Sequence, residues 1–347
     1  MIGLIADLDG DLKPWGDDSV LGARLAVDEF NRKTRRAVKL EVSNSASKPE
    51  QGRAAAELLL YKGAIGLIGG VASGITSQIA EAARATKTPV IATLATRPDL
   101  LKGRDWLFRV CYRDEAQGRV MARFAYGDLG LRRAAIATDV TQPYSVLLSN
   151  NFRSTFRKLG GEVVADESYA GGDTRFESLA ARLKEKQPAA VYISGYFNEA
   201  GPMVRQIHET MPKTTFLGGD GWDSAEILAS GGEAILGAMF TTSYVASDPY
   251  PANRSFLKRW RKKFGGLPTT SAGPLTYDAT KLMLEAMQRS HSHSRNDLRR
   301  AIAGTVGFKG CSGTVTLRGR HGEPDKRMVI VRLKRDGQWF AKAFEHP

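Results

Sequence analysis

The chain has 347 residues, and 50 Lys and Arg residues against 37 Asp and Glu residues give it a formal net charge of +13. At about 150 residues per domain, this length predicts two domains. A composition of 42% hydrophobic and 25% charged residues excludes a disordered chain. Two cysteines, Cys111 and Cys311, are too few for a disulfide-based scaffold. The positive charge favours an acidic partner, such as nucleic acid, a membrane surface or an anionic ligand, without choosing among them.

The amino-terminal sequence reads as a strand. Residues 1–6 are mostly apolar, and no basic segment followed by an apolar core precedes them. No stretch approaches the roughly 18 uninterrupted apolar residues of a membrane span. We therefore expect either a cytoplasmic protein or one whose export signal has been removed.

Short apolar runs alternate with amphipathic stretches through the first 241 residues. Predicted strands are 2–6, 38–43, 65–68, 89–93 and one ending near residue 108, followed by 134–138, 162–166, 189–194, 215–218 and 238–241. Predicted helices between them are 19–36, 49–61, 74–86, 115–127, 145–159, 176–186, 199–209 and 224–229. This alternation indicates βαβ units and parallel sheets in two similar halves.

The alternation stops after residue 250. Three helices without intervening strands are predicted at 252–264, 273–289 and 295–304, and three strands at 314–317, 328–334 and 339–344, with a hairpin turn at Asp336-Gly337. We expect the helices to return to the first half and the strands to the second. The fold class is thus α/β, with two doubly wound parallel-sheet lobes joined by three crossovers. The predicted lobes are 1–112 with 245–310, and 113–244 with 311–347.

Candidate ligand residues follow the strands, because ligands of open parallel sheets bind beyond the carboxyl ends of the strands. In the first half these are Trp15 in a loop, Ser73 as a helix N-cap, and Leu94, Ala95 and Thr96 with their backbone amides. In the second half they are Tyr144, Tyr196 and Asp220. Hydroxyls and amides in one half, with aromatics and a carboxylate in the other, suit a zwitterion held in a cleft between the lobes. Each residue also has a plainer interpretation: Ser73 and Thr96 as helix caps, the aromatics as packing residues, and Asp220 as a turn residue.

Signals of enzymatic function are absent from the sequence. Residues 7–12 read Asp-Leu-Asp-Gly-Asp-Leu, so no dinucleotide fingerprint follows the first strand. There is no phosphate-binding loop, no nucleophile elbow and no metal-ligand spacing, and His291 and His293 lie in a polar run typical of a solvated loop. The densest basic cluster, residues 254–263, lies on an amphipathic helix and matches no nucleic-acid motif. We predict a non-enzyme without cofactor, metal or nucleic-acid partner.

Several ordered segments resemble one known family, the type I periplasmic solute-binding proteins of the branched-chain amino acid (Leu/Ile/Val-binding) group. They extend over essentially the whole chain: Trp15-Gly16 with Asp28-Glu29-Phe30-Asn31, Ser73-Gly74-Ile75-Thr76, Ala95-Thr96-Arg97-Pro98-Asp99-Leu100, Asp114-Glu115-Ala116-Gln117-Gly118, Phe216-Leu217-Gly218-Gly219-Asp220-Gly221 and Tyr277-Asp278-Ala279.

The resemblance implies an extracytoplasmic receptor that closes its two lobes on a small solute and delivers it to the permease subunits of an ABC importer. It implies that Ser73, Thr96 and the backbone at Leu94 and Ala95 bind the ligand carboxylate. It further implies that Asp220 binds the ammonium group while Trp15, Tyr144 and Tyr196 close over the ligand. The family usually has a longer acidic residue where this chain has Asp220, so the ligand identity stays open.

Two alternatives remain beside transport of an amino acid: a ligand-sensing receptor or regulator on the same fold, and a binder of another small carboxylate or amide. The two cysteines also leave two alternatives. Cys111 lies near the first predicted crossover and Cys311 near the third, so they could form a disulfide, which would fit an oxidising periplasm, or remain as two reduced buried thiols.

Overall fold

The structure is a computed structural model that describes residues 1–35, 37–290, 292 and 294–345. The chain divides into two compact units. The first unit comprises Met1–Tyr112 and Pro249–Arg327, and the second comprises Arg113–Asp248 and Met328–Pro347. The boundaries expected at residues 244 and 310 therefore lie at 248 and 327. Among the described helices, none is both long enough and apolar enough to cross a bilayer.

The amino-terminal part of the first unit alternates strands and helices. Its elements are β1 (Ile2–Ala6), α1 (Lys13–Thr34), β2 (Leu40–Asn44), α2 (Pro49–Tyr61), β3 (Leu67–Gly69), α3 (Ser73–Ala85), β4 (Val90–Ala92) and β5 (Leu107–Arg109). The five strands pair in parallel in the order β2-β1-β3-β4-β5. Apolar residues of β1, β3 and β4 are fully or almost fully buried, as expected for a parallel sheet.

The second unit begins with the same topology. Its elements up to residue 248 are α4 (Asp114–Arg123), β6 (Arg133–Asp139), α5 (Pro143–Lys158), β7 (Glu162–Tyr169), α6 (Glu177–Lys186), β8 (Ala190–Ile193), α7 (Phe197–Thr210), β9 (Thr215–Gly218), α8 (Glu226–Gly231) and β10 (Met239–Thr242). The parallel order is β7-β6-β8-β9-β10, which repeats the strand order of the first unit. The two halves of the sequence thus form two doubly wound sheets.

The carboxyl-terminal part of the chain contributes to both units. Its elements are α9 (Pro251–Phe264), α10 (Ala272–Arg289), α11 (Arg295–Ala303), β11 (Phe308–Gly310), β12 (Gly313–Val315), β13 (Met328–Lys334) and β14 (Gly337–Phe344). In the second unit β13 pairs antiparallel with β10, and β14 pairs antiparallel with β13, which matches the predicted hairpin.

Residues 311–327 belong to the first unit, and their predicted place in the second lobe was wrong. β12 does not join the second sheet, because it pairs antiparallel with β11, a strand that the sequence pattern did not predict. The carboxylate of Asp278 on α10 accepts hydrogen bonds from the amides of Cys311 and Ser312 at 2.7 and 2.9 Å. These bonds join residues 311 and 312 to a helix of the first unit.

The helix α1 begins at Lys13, six residues before its predicted start at residue 19. Its first turn, Lys-Pro-Trp-Gly-Asp-Asp, has no apolar periodicity, which is why the pattern did not predict it. Pro14 lies in the first turn, where its fixed φ angle favours a helix and its missing N–H costs nothing. Trp15 is consequently a helical residue and not a loop residue.

Candidate ligand-binding site

Each unit has a point in its sheet where the strand order reverses, between β1 and β3 in the first unit and between β6 and β8 in the second. In doubly wound sheets the helices that follow such strands leave on opposite faces, so a crevice opens at their carboxyl ends. Trp15 and Ser73 follow β1 and β3, and Tyr144 and Tyr196 follow β6 and β8. Four of the predicted site residues therefore lie at these two points.

Ser73 and Thr96 lie on neighbouring loops at the carboxyl edge of the first sheet. Ser73 follows β3 and Thr96 follows β4, and the two strands pair in parallel. The Ser73 hydroxyl accepts a hydrogen bond from the Arg97 amide at 3.2 Å, which joins the two loops. The prediction of Ser73 as N-cap was wrong: Ala72 is the N-cap, because its backbone stays extended and helical dihedrals begin at Ser73.

Arg109 fixes the loop that carries Leu94, Ala95 and Thr96. Its guanidinium is fully buried and forms a two-point ion pair with Glu323, with N–O distances of 2.7 and 2.5 Å. It also donates to the carbonyl oxygens of Ala95 and Arg97, both at 3.0 Å. Arg109 was not recognisable as a site residue from the sequence, because its partners lie up to 214 positions away along the chain.

Thr96 and Trp15 are the other side chains predicted for the first unit. Thr96 is buried, and its hydroxyl forms no hydrogen bond with any described residue, which leaves it available to a ligand. Trp15 is 4% exposed, and its carbonyl accepts a hydrogen bond from the Ser19 hydroxyl. The assignment of Trp15 to the ligand therefore stays a prediction.

In the second unit the structure brings Tyr144, Tyr196 and Asp220 together. Asp220 follows β9 in a short 3-10 turn, and its Oδ1 atom accepts a hydrogen bond from the Tyr144 hydroxyl at 2.7 Å. The rings of Tyr144 and Tyr196 stack with their centroids 5.2 Å apart. The second carboxylate oxygen of Asp220 accepts no side-chain hydrogen bond from the described residues. It is therefore an open acceptor beside an aromatic pair.

Gln117 is a residue of this cluster that sequence reasoning missed. Its Nε2 atom donates to Asp220 Oδ1 at 2.9 Å, and its Oε1 atom accepts from the Asp220 amide at 3.0 Å. Gln117 appears in the sequence only as part of a family-like segment on a helix. Its role depends on contacts between residues 103 positions apart, for which local periodicity gives no signal.

The glycines on either side of Asp220 allow these contacts. A Cβ atom on Gly219 would lie 2.4 Å from a Leu148 methyl and 2.7 Å from the Tyr144 hydroxyl. The Gly221 amide donates to that same hydroxyl at 3.0 Å. A small residue at position 219 is thus needed for Tyr144 to reach Asp220, and the Gly221 amide helps to hold the Tyr144 hydroxyl in place.

Burial raises the pKa of the Asp220 carboxyl to about 6, although hydrogen bonds from Tyr144 and Gln117 act in the opposite direction. Burial also raises the pKa values of Tyr144 and Tyr196, and the negative charges of Asp220 and Asp114 add to both shifts. At neutral pH the carboxylate is therefore ionised and both phenols are neutral. A partly desolvated carboxylate in this state attracts a cation strongly.

The cysteines occur as two buried thiols and not as a disulfide. Cys111 donates to the Ala95 carbonyl at 3.3 Å, and Cys311 to the Pro274 carbonyl at 3.5 Å. Both belong to the first unit, so the placement of Cys311 in the second lobe was wrong.

The described residues contain no group of three or more His, Cys, Asp or Glu side chains that could hold a metal. His291 and His293, interpreted above as loop residues, lie outside the described residues.

Two doubly wound sheets in one chain, with polar side chains at the carboxyl edge of each, are typical of two-unit solute-binding proteins. Comparison with known proteins agrees. The family model for periplasmic binding proteins matches residues 1–338. The Leu/Ile/Val-binding protein BraC3 of Rhizobium johnstonii is 33% identical over 246 residues, which are 70% of this chain and 67% of that protein. The leucine-specific-binding protein of Salmonella typhimurium is 28% identical over 305 residues, 86% of this chain and 81% of that protein.

The solved structures lead to the same family. The crystal structure of the leucine binding protein LivK from Thermotoga maritima has a TM-score of 0.89 and 31% identity, and the alignment covers 99% of this chain and 98% of that one. The chain belongs to the periplasmic binding protein family, in its type I, branched-chain amino acid group. The resemblance seen in the sequence is thereby confirmed.

Proposed function

We propose that this protein is the extracytoplasmic receptor of an ABC importer and that its solute is an amino acid or a similarly small amine-carboxylate. The observation that carries the proposal is the Asp220 carboxylate, which is partly buried, ionised at neutral pH and open at one oxygen beside the stacked rings of Tyr144 and Tyr196. The relatives' names, which include leucine-specific and Leu/Ile/Val-binding proteins, support the same solute class.

In this proposal the ligand's ammonium group binds to Asp220 of the second unit. Charge-assisted hydrogen bonds to a carboxylate are stronger than neutral ones, and partial burial strengthens them further. The phenols of Tyr144 and Tyr196 would cover the apolar part of the ligand. An anionic ligand without an amine would instead meet an uncompensated negative charge.

The ligand's carboxylate is proposed to bind the first unit at Ser73, Thr96 and the amides near Leu94 and Ala95. Amides of the first helical turn have no acceptor within their own helix, so the start of α3 favours an anion. The Thr96 hydroxyl can add a hydrogen bond, since no described residue uses it. Trp15 is proposed as a further contact.

A thermal-shift screen tests the solute class. The panel contains the L-amino acids, their amides, the matching carboxylic acids without the amine, and aromatic carboxylates such as benzoate. Because a ligand present at 100 times its Kd stabilises by about 2.7 kcal/mol, a true ligand will raise the melting temperature by several degrees. We expect the shift only with compounds that carry both an amine and a carboxylate. A shift with benzoate or an amine-free acid, and none with any amino acid, would overturn the solute assignment.

Delivery to an importer needs a second experiment, because a sensor on the same fold would bind the same ligand. We expect that deletion of the gene abolishes uptake of the labelled ligand and that uptake returns with the intact gene. Unchanged uptake together with a changed transcriptional response would instead assign the protein to sensing.

A further inference from the structure

Gln117 makes more hydrogen bonds to the Asp220 loop than any packing role requires. Its side chain is completely buried at the start of α4, and its amide reaches both the carboxylate and the backbone of Asp220. A second donor–acceptor set holds the same amide: Nε2 donates to Asp114 Oδ1 at 3.2 Å, and Oε1 accepts from the Thr241 hydroxyl at 2.8 Å.

These four bonds use the full capacity of the amide group. A glutamine amide has two N–H donors and accepts two bonds at its oxygen, and here all four positions are occupied. Rotating the amide by half a turn would direct its oxygen at two carboxylate oxygens and its N–H groups at the Asp220 amide. Only one orientation of Gln117 is therefore favourable, and a buried group with one favourable orientation is rigid.

We propose that Gln117 is a positioning residue for the ligand-binding carboxylate: it holds Asp220 in a single orientation in which one oxygen is occupied and the other faces the ligand. The inference rests on the function proposed above for its ligand-binding consequence. Its structural part, the action of Gln117 on Asp220, is measurable without any ligand.

The mechanism has two parts. The bond from Gln117 Nε2 and the bond from Tyr144 both end on Asp220 Oδ1, so the open lone pairs are concentrated on Oδ2. The bond from the Asp220 amide to Gln117 Oε1 fixes the backbone that carries the carboxylate. Thr241, on β10, in turn fixes the orientation of Gln117, which lies on α4. The orientation of the Asp220 carboxylate is therefore determined by α4 and β10 as well as by its own loop.

The electrostatic surroundings of Asp220 allow a direct readout. The charged and titratable groups that influence it or are influenced by it are the tyrosines Tyr144, Tyr192 and Tyr196 and the carboxylates Asp114 and Asp223. Hydrogen bonds from Gln117 and Tyr144 lower the Asp220 pKa against the larger effect of burial. Loss of the Gln117 bond should raise that pKa, which a residue that only fills space would not do.

The variant Gln117→Met keeps the length and volume of the side chain and removes the amide. Thr138→Val is its control, because Thr138 also has a buried hydroxyl in the second unit, bonded to Ser149 at 2.7 Å. Carbon-13 NMR of the aspartate carboxyl groups, with Asp220 assigned from an Asp220→Asn spectrum, gives the titration midpoint in the ligand-free protein. We expect Gln117→Met to raise the Asp220 midpoint by about one pH unit and Thr138→Val to leave it unchanged.

A measurement on the unmodified protein covers the case in which Gln117→Met does not fold. The Nε2 protons of Gln117 should shift with pH and show the same midpoint as the Asp220 carboxyl, since protonation of the acceptor weakens their bond. Side-chain amide protons that do not follow the Asp220 titration, or an equal midpoint in folded Gln117→Met and wild type, would overturn the inference.

The ligand arm uses L-leucine and its amine-free analogue, 4-methylpentanoate. Gln117→Met should weaken L-leucine binding roughly tenfold, the size expected for a misaligned charge-assisted bond, and leave 4-methylpentanoate within about twofold. Equal weakening of both ligands in a variant that passes the NMR test would contradict the ligand-directed role. If wild type does not distinguish the two compounds, the proposed amine-carboxylate function fails for this pair, while the NMR experiment still decides whether Gln117 positions Asp220.

Discussion

The carboxyl group of Asp220 combines two properties that oppose each other, partial burial and ionisation. Three groups support its charge directly: the Tyr144 hydroxyl, the Gln117 amide and its own loop backbone. They do not fully offset the loss of hydration, since the pKa stays raised at about 6. A receptor that must bind an ammonium group gains from such a site, because the ligand supplies the missing counter-charge.

The incompletely compensated charge of Asp220 predicts that the ligand-free Asp220→Asn variant is more stable than wild type. The native pKa of about 6 lies above 3.8, the ordinary pKa of an aspartate side chain, so between these pH values the native state binds more protons than the unfolded state. The contribution of this group to the free energy of unfolding is therefore greatest below the unfolded-state pKa of 3.8, and it is lost as the pH rises through 6. At pH 8 we expect Asp220→Asn to be more stable than wild type by about 1 to 3 kcal/mol in urea unfolding.

The difference should shrink as the pH falls from 6 towards 4. Asp105→Asn serves as the control, because Asp105 is exposed, and its substitution should change the unfolding free energy by less than about 0.5 kcal/mol at either pH. A pH-independent difference between Asp220→Asn and wild type would mean that the carboxylate is not destabilised by burial.

At the scale of elements, the loop that carries Thr96 is held in place by a residue of the next strand, which is itself paired with a residue of a distant segment. Arg109, the last residue of β5, is completely buried and bonds two carbonyls of that loop, while Glu323 neutralises its charge. Removal of one partner from a buried pair leaves the other charge uncompensated.

We expect Arg109→Met to lower the free energy of unfolding by about 2 to 4 kcal/mol and to weaken ligand binding, because the Ala95 and Arg97 carbonyls lose their donor. Urea unfolding and ligand titration check the two effects. Arg153→Met is a matched control: Arg153 also forms a two-point pair, with Asp166, but both side chains are partly exposed. Its loss should cost less than about 1 kcal/mol, and an equal cost for both variants would contradict the account.

The contact between α1 and α10 depends on a close approach at Gly22. A Cβ atom there would lie 2.0 Å from the Gly273 carbonyl oxygen, so alanine requires the two helices to separate. We expect Gly22→Ala to destabilise the protein by about 2 kcal/mol or more. In contrast, a Cβ on Gly74 in α3 meets only Pro49 at 3.6 Å, and Gly74→Ala should be neutral or stabilising by up to about 1 kcal/mol. Thermal unfolding of the two variants in the absence of ligand decides this.

Elements with a strong period were predictable from the sequence, and those held by distant contacts were not. The strands 2–6 and 215–218 and the helix 49–61 have the predicted limits, because their apolar pattern alone determines them. The start of α1 depends on a proline, and the strand β11 depends on its pairing with β12. The place of residues 311–327 in the first unit depends on hydrogen bonds to Asp278.

The same division holds for the site. Strand ends led to Tyr144, Tyr196 and Asp220, which the structure brings together, whereas Gln117 and Arg109 are recognisable only from their long-range hydrogen bonds. A local pattern shows where a side chain lies along an element but not which distant group it contacts.

At the scale of the whole molecule, the net charge of +13 arises from basic residues spread over both units. Many of them pair with acids on the surface: Arg259 with Glu29, Lys263 with Asp28, Arg182 with Glu167 and Arg335 with Glu233. Such partly exposed pairs add little stability, but each one neutralises a positive charge locally. The site proposed for a cation holds a carboxylate and not one of these basic groups.

We therefore expect no binding to a 20-base-pair DNA duplex at about 0.15 M salt and protein concentrations up to about 100 µM, whereas a non-specific binder, with a Kd of about 1 to 100 µM, would be at least about half bound at the highest of these concentrations. Fluorescence anisotropy of labelled duplex measures it. Amino acid binding should change little between about 0.05 and 0.5 M salt, since partly buried charges are weakly screened. DNA binding with a steep salt dependence would show that the basic residues form a functional surface.

The most direct test of the central claim is calorimetric titration of the amino acid with the largest thermal shift, together with its amine-free analogue, into wild type and Asp220→Asn at pH 8. If Asp220 binds the ammonium group, the substitution will weaken amino acid binding by about 2 to 5 kcal/mol and leave the analogue unchanged or tighter. An Asp220→Asn variant that binds the amino acid with wild-type affinity would contradict the account.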